Sequence, residues 1–189
     1  MGEVNIVTGL SGVGKGTVLE EAMLLADKDY ELINYGDRML EIAKERELVE
    51  SRDEMKKIGT ETYREIQKEA AESIFEDAEE KDVIVDTHAA IYTPHGYIPG
   101  LPKWSIEKLE PSKIIMIDAD SEAIWNRVKD DEGRSREHES IEHITEYRRI
   151  AREMAASGCV LTGAYLKVLE NADGQAEKAA EELVKTLRA

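Results

Sequence analysis

The run Gly9-Leu10-Ser11-Gly12-Val13-Gly14-Lys15-Gly16-Thr17 holds the residue types that grip a phosphate. Glycines let the backbone bend so that successive N–H groups face one anion. A helix starting behind them adds the positive end of its dipole, and Lys15 supplies one full positive charge. The flanks agree: Val4 to Thr8 is an apolar run that reads as a strand, and Val18 to Ala26 has helical spacing. Strand, glycine-rich turn and helix form the context this chemistry requires. In the strict pattern the lysine is followed at once by Ser or Thr, which holds magnesium. Here Gly16 stands in that place and the hydroxyl comes one residue later, at Thr17. From there it can reach the phosphates or a metal-bound water.

Phosphoryl transfer needs more than a cradle. Cations must lie over the group in flight, water must be shut out, and an acceptor must be held opposite the donor. Guanidinium groups suit this work because they are always charged and fork onto two oxygens. Arg134 and Arg136 fall in Asp130 to Ser140, a stretch with almost no apolar residue. It reads either as a solvated loop of mixed charge or as a lid that closes over phosphates. Arg127, just before it, can reach the same phosphates. Arg38, Arg52 and Arg64 lie in a helical stretch between the second and third strands, where an acceptor would sit. Arg52 is the preferred acceptor contact, whereas Arg38 and Arg64 serve equally well as surface residues. Asp86 ends the third strand, and a carboxylate there can hold magnesium through water or cap a turn. His88 is near the same edge and can contact substrate or make a local hydrogen bond. Trp104, Trp125 and Tyr147 read as core residues. The four histidines and one cysteine show no zinc-ligand spacing.

These residues need a scaffold, and the pattern supplies one. Apolar runs at Val4–Thr8, Leu32–Tyr35, Asp82–Asp86, Lys113–Asp118 and Tyr165–Glu170 predict five strands. Between them, helical spacing predicts a helix from Asp37, as N-cap, to about Glu47, then one from Ser51 to Gly59 with Ser51 and Glu54 at capping-box distance. Further helices are expected over Thr60 to about Glu80, Ser105–Leu109, from Ser121, as cap, to about Lys129, Ile141 to about Leu161, and Gln175–Leu187. The breaker-rich stretch Thr93 to Pro102 reads as an ordered loop. Strands alternating with helices predict a single α/β domain over 1–189: three layers, α/β/α, around a central five-stranded parallel sheet. In such sheets ligands sit beyond the carboxyl ends of the strands. Gly9–Thr17, Tyr35-Gly36-Asp37, Asp86-Thr87-His88 and Asp118-Ala119-Asp120 all fall there.

Composition excludes several alternatives. With 189 residues and 41% hydrophobic content the chain can bury a sizeable core. A formal net charge of −16 argues against a nucleic-acid binder, which needs a basic face. No apolar run approaches membrane-spanning length, no secretion signal is evident, and Ile6 stands where a myristoylation motif wants Ser or Thr. A single cysteine, Cys159, rules out an internal disulfide and fits a cytoplasmic setting.

The Gly-Lys-Gly-Thr loop is similar to that of nucleoside-monophosphate kinases, and nearly the whole chain resembles archaeal-type adenylate kinases. The resemblance is carried by Gly9 to Thr17, Asn34-Tyr35-Gly36-Asp37, Arg52-Asp53-Glu54-Met55, Asp86-Thr87-His88, Thr93-Pro94 through Gly100-Leu101-Pro102, Arg134-Ser135-Arg136 and Val160-Leu161-Thr162-Gly163-Ala164. It implies a P-loop fold with a helical acceptor insert at about 36–80 and a short lid at about 130–140. It implies the reaction ATP + AMP = 2 ADP with Mg2+, in the cytoplasm, by a homotrimer. Its implied site has Lys15, Arg127, Arg134 and Arg136 as catalytic cations. ATP lies on Gly9, Leu10, Ser11, Gly12, Val13, Gly14, Lys15, Gly16 and Thr17, AMP on Gly36, Arg38, Arg52 and His88, and magnesium on Asp86, through water, and Thr17. One departure stands out: Glu41 occupies a place where bacterial-type enzymes carry an arginine, so that pattern supports the acceptor-phosphate assignment to Arg52 or Arg38 less than it supports the donor loop. Two rivals are a kinase of the same fold with another acceptor, a different nucleoside monophosphate or a small metabolite, and a kinase-like assembly factor. Either is separated from the first reading by an acceptor screen and by turnover.

Overall fold

The computed structural model describes residues 2–129 and 138–189. Arg134, Arg136 and most of the expected lid, 130–137, lie outside the described residues. Five strands form one parallel sheet in the order β2-β3-β1-β6-β7: β1 (Val4–Thr8), β2 (Tyr30–Asn34), β3 (Asp82–Asp86), β6 (Lys113–Asp118) and β7 (Tyr165–Glu170). The three middle strands are buried almost throughout, as their continuous runs of Val and Ile require when both faces are covered. Helices α1 (Lys15–Leu25) and α7 (Ala176–Arg188) pack together, while α3 (Thr60–Asp77), α4 (Lys103–Leu109) and α6 (Ile141–Thr162) form the other helical group, with α5 (Ser121–Val128) against α6.

Four of the five strands begin and end where expected. The second starts two residues earlier, at Tyr30, and stops at Asn34. That shift moves the cap of α2 (Tyr35–Glu45): Asp37 is not the N-cap, because Asn34 Oδ1 already accepts from the Asp37 N–H at 3.1 Å. The same happens at α5, where Asp120, not Ser121, accepts from the Glu122 N–H. The helix expected over Ser51–Gly59 is a short 3-10 turn, Arg52–Lys57. In its expected capping box the Ser51 side chain makes no cap bond, and the Glu54 carboxylate accepts from the Glu50 N–H, one residue before the cap.

The stretch from Ala90 to Pro99 is not a loop but a two-stranded antiparallel hairpin, β4 (Ala90–Thr93) and β5 (Gly96–Pro99). Its base is pinned at Gly100, whose N–H donates to Ala89 O at 3.0 Å. A Cβ at Gly100 would sit 1.9 Å from the His88 carbonyl oxygen, so only glycine lets the hairpin close on the sheet edge.

Candidate active site

The loop between β1 and α1 is anchored by apolar side chains and shaped by glycines. Leu10 and Val13 are buried in the core. Gly12 and Gly14 have φ of 91° and 83°, the left-handed region that costs glycine nothing. Every carbonyl from Gly9 to Gly14 has a donor. His88 Nδ1 donates to Gly9 O at 2.9 Å, His138 Nε2 to Ser11 O at 2.9 Å, and Asn171 Nδ2 to Val13 O at 2.8 Å. Arg127 Nη1 donates to Gly12 O at 3.3 Å and Val13 O at 3.2 Å. Backbone bonds from Val13 and Val18 satisfy Leu10 and Gly14. With its carbonyls tied back, the loop presents its amides, and the first N–H groups of α1 have no intrahelical acceptor. This is a preorganised anion cradle.

Lys15 lies inside it, with 11% of its side chain exposed, and pairs with Asp86 Oδ1. Burial lowers its ammonium pKa to about 8. Asp86 Oδ2 accepts from Asn34 Nδ2 at 3.1 Å. Strand register makes this arrangement, because β3 lies between β1 and β2 and aligns Asp86 with both Val7 and Asn34. Next to Lys15, a Cβ on Gly16 would meet no atom within 4 Å. Space is thus open at the head of α1, where exposed Thr17 stands.

Two cavities flank this cradle and share His88 and Ile91 in their walls. One, of about 300 Å³, is lined by Asn34, Tyr35, Gly36, Met39, Arg52, Met55, Gln67 and Asp86 among others. The other, of about 480 Å³, is lined by Ser11, His88, Tyr92, Thr93, Glu139 and Tyr147 among others. His88 thus bonds locally to the loop and also lines both cavities. Arg52 has 61% of its side chain exposed and reaches across α2 to Asp37 Oδ1 at 2.7 Å. A Cβ at Gly36 would come within 3.0 Å of its guanidinium, so glycine leaves room for that crossing.

Arg38 is engaged on α3. Its Nη1 donates to Ser73 Oγ at 2.6 Å and Asp77 Oδ2 at 2.8 Å on α3, so it fastens α2 to α3 and does not line the smaller cavity. Arg64 likewise lies over the Trp104 ring at 4.3 Å. Arg127 rests on the loop's carbonyls and on Asp173, where its Nε donates to Oδ1 at 2.9 Å, rather than standing free above the cradle. His138, expected on an exposed flap, is 2% exposed. Its ring packs near His143 and Tyr147. Asn171 as a loop brace was not foreseen from the sequence. Nor were Arg148 and Arg152, which grip buried Asp118 at the end of β6. Their spacing of four on one helix was the available signal.

Comparison with known proteins is consistent with this geometry. A family model described as AAA domain matches residues 8–145, more than half of the chain. A curated adenylate kinase from Methanopyrus kandleri is 48% identical over 190 residues, spanning 100% of this chain and 99% of that protein. Adenylate kinases from Methanothermobacter thermautotrophicus and Methanocaldococcus jannaschii are 43% and 41% identical, each covering 98% of this chain. A solved shikimate kinase from Acinetobacter baumannii, in complex with shikimate, superposes with a TM-score of 0.62 over 100% of this chain and 94% of that one, at 13% identity. That likeness shows the fold alone: a three-layer α/β kinase fold around a parallel sheet.

Proposed function

The chain belongs to the adenylate kinase family, with ATP + AMP = 2 ADP as its activity, and from that premise we propose how its own residues divide the work. ATP places its phosphates in the Gly9–Thr17 cradle, against the amides of Gly12 to Gly16 and the Lys15 ammonium. AMP occupies the cavity of about 300 Å³ beside α2, with Gly36 and His88 in its wall and Arg52 on its phosphate. An AMP phosphate oxygen attacks the γ-phosphorus in line, the bond to the β–γ bridging oxygen breaks, and two ADP result. Arg127 braces the cradle from its carbonyl side. Arg134 and Arg136 supply cations over the group in transfer, a role that stands on sequence and likeness to the family. The two cavities sharing His88 and Ile91, one lined by Ser11 of the loop and the other by Asp86, the partner of Lys15, are the observation that carries this reading.

Magnesium fits the donors present. The Asp86 carboxylate and Thr17 hydroxyl are hard oxygens that suit it, with open space at Gly16 between loop and helix. Bound there, the ion would neutralise phosphate charge. We also propose the acceptor insert at about 36–80, the lid at about 130–140, a cytoplasmic location and a homotrimer. Exposed Val160, near the end of α6, and Tyr165, the first residue of edge strand β7, offer an apolar surface for subunit contact. Among the described residues no helix is long and apolar enough to cross a membrane. Equilibrium titration tests the site reading. Two distinct nucleotides should bind per subunit, with AMP preferred over CMP, UMP and shikimate as acceptor. One site per subunit, or a better acceptor than AMP, would overturn it.

Two further outcomes follow from the cradle. His138→Ala frees the Ser11 carbonyl, and loss of one such bond costs about 1 kcal/mol or more, so the KM for ATP should rise about fivefold or more. His138→Gln, which keeps an N–H at similar reach, should recover most of that in the same steady-state assay. The Lys15 pKa of about 8 sets a pH dependence. Phosphate gains from the charged form, so affinity for an ATP analogue is full below that pH and falls about tenfold per pH unit above it. The stability of the free protein moves the opposite way. Between about 8 and 10.5 the unfolded chain binds more protons at this group, so stability rises with pH there. Calorimetric titrations at several pH values check the first, and an affinity that stays flat across them contradicts it.

A further inference from the structure

The last residue of β2 links the two nucleotide sites. Parallel register sets Asn34 beside Asp86, and the side chain uses both of its ends. Nδ2 donates to Asp86 Oδ2 at 3.1 Å, and Oδ1 accepts from the Asp37 N–H at 3.1 Å, capping α2. Asp86 Oδ1 in turn pairs with Lys15 Nζ. At the far end, Asp37 Oδ1 accepts from Arg52 Nη2 at 2.7 Å. An unbroken run of polar contacts thus leads from the cradle lysine, through Asp86, Asn34 and the first turn of α2, to the arginine of the acceptor cavity. A cap alone needs only Oδ1, which Ser, Thr or Asp would supply equally well. Among capping side chains, asparagine accepts on one atom and donates from another, and here both are in use.

We infer that Asn34 is a positioning residue that couples occupancy of the two sites. A triphosphate entering the cradle competes with Asp86 for Lys15. Once Lys15 is taken, the Asn34 amide is the donor left to Asp86 in this run, and Asn34 shifts with it. That shift moves the first turn of α2, which holds Asp37, and loosens Asp37 from Arg52. The guanidinium is then released toward an incoming phosphate, so each nucleotide binds more tightly when the other is present. The coupling is reciprocal because it is a property of the shared equilibrium.

The inference rests on the donor and acceptor assignments proposed above, and the test separates the two. AMP affinity is measured by calorimetry on the full chain, with and without saturating β,γ-methylene ATP and magnesium. The unaltered protein should bind AMP at least about fivefold more tightly with the analogue. Asn34→Ser keeps a capping hydroxyl but cannot reach Asp86. Its ratio should fall to within about twofold of one, whatever the affinity of each nucleotide alone, with thermal stability kept. Asn34→Asp caps equally well and, ionised, cannot donate to Asp86. It should lose the coupling too, so a folding defect in one variant leaves the other to decide. A ratio of one in the unaltered protein, or an undiminished ratio in either folded variant, overturns the coupling. A merely structural cap would leave the ratio intact. Failure of Arg52→Ala to weaken AMP binding would instead overturn the acceptor assignment.

Discussion

Lys15→Met should lower kcat/KM by on the order of 10³ and leave the fold in place. A cation fixed against phosphates in a low-dielectric cradle acts where charge is redistributed in the transition state, and removing one such group costs about 10² to 10³ or more in rate. The fold does not depend on the ammonium in the same way. Burial lowers its pKa to about 8, which means the folded protein holds the charge against a desolvation penalty. Asp86, once deserted, keeps the Asn34 amide and has 21% of its side chain open to water. Methionine fills the volume without the charge. A coupled assay for ADP formation and a thermal melt on the same preparation give both readings. Turnover within tenfold of the unaltered protein would mean that the triphosphate sits elsewhere.

The parts of the fold legible in the sequence were those set by patterns within a few residues. Buried parallel strands leave continuous apolar runs, and Val83-Ile84-Val85 or Ile114-Ile115-Met116-Ile117 are hard to read otherwise. The glycine loop declares itself because an L side chain at Gly12 or Gly14 would be strained. The hairpin at Ala90–Pro99 was obscured by Pro94, Pro99 and two glycines, which mark both turns and loops. What makes it a hairpin is contact outside the segment: Tyr147, on α6, donates its hydroxyl to Ala90 O and accepts from the Tyr92 N–H. Both misplaced caps failed for a similar reason. Asn34 and Asp37 are both good N-caps, as are Asp120 and Ser121. Only the point where the strand stops decides between them.

The site divides along the same line. Charged residues at strand ends, such as Asp86, could be placed from topology alone. Side chains that hold the cradle by its carbonyls could not. Asn171 reaches Val13 across 158 positions of sequence, Arg127 reaches it across 114, and His138 reaches Ser11 across 127. Their role is to fix backbone, and backbone contacts put little demand on residue type beyond having a donor. His138 shows the limit most clearly. Its neighbours in sequence are charged, yet it is buried against the loop and against Tyr147.

Two arginines that the sequence could not rank give the sharpest remaining contrast. Arg52→Ala should raise the KM for AMP by on the order of 10²-fold, because a guanidinium fork on a phosphate carries charge-assisted hydrogen bonds worth about 1.5 to 3 kcal/mol. Its cost to the fold should be slight, since the ion pair it makes among the described residues, with Asp37, is between side chains that are 61% and 60% exposed. Arg38→Ala should do the reverse. Its side chain is only 18% exposed and ties α2 to Ser73 and Asp77, so its loss should cost about 1 kcal/mol or more of stability. AMP should still bind normally, because Arg38 faces α3 and not the cavity. The discriminating experiment pairs AMP titration with urea denaturation on both variants. Arg52 without effect on AMP, or Arg38 with a large one, would show that the acceptor phosphate lies on the other face of α2. The cavity between α2 and His88 would then need another ligand.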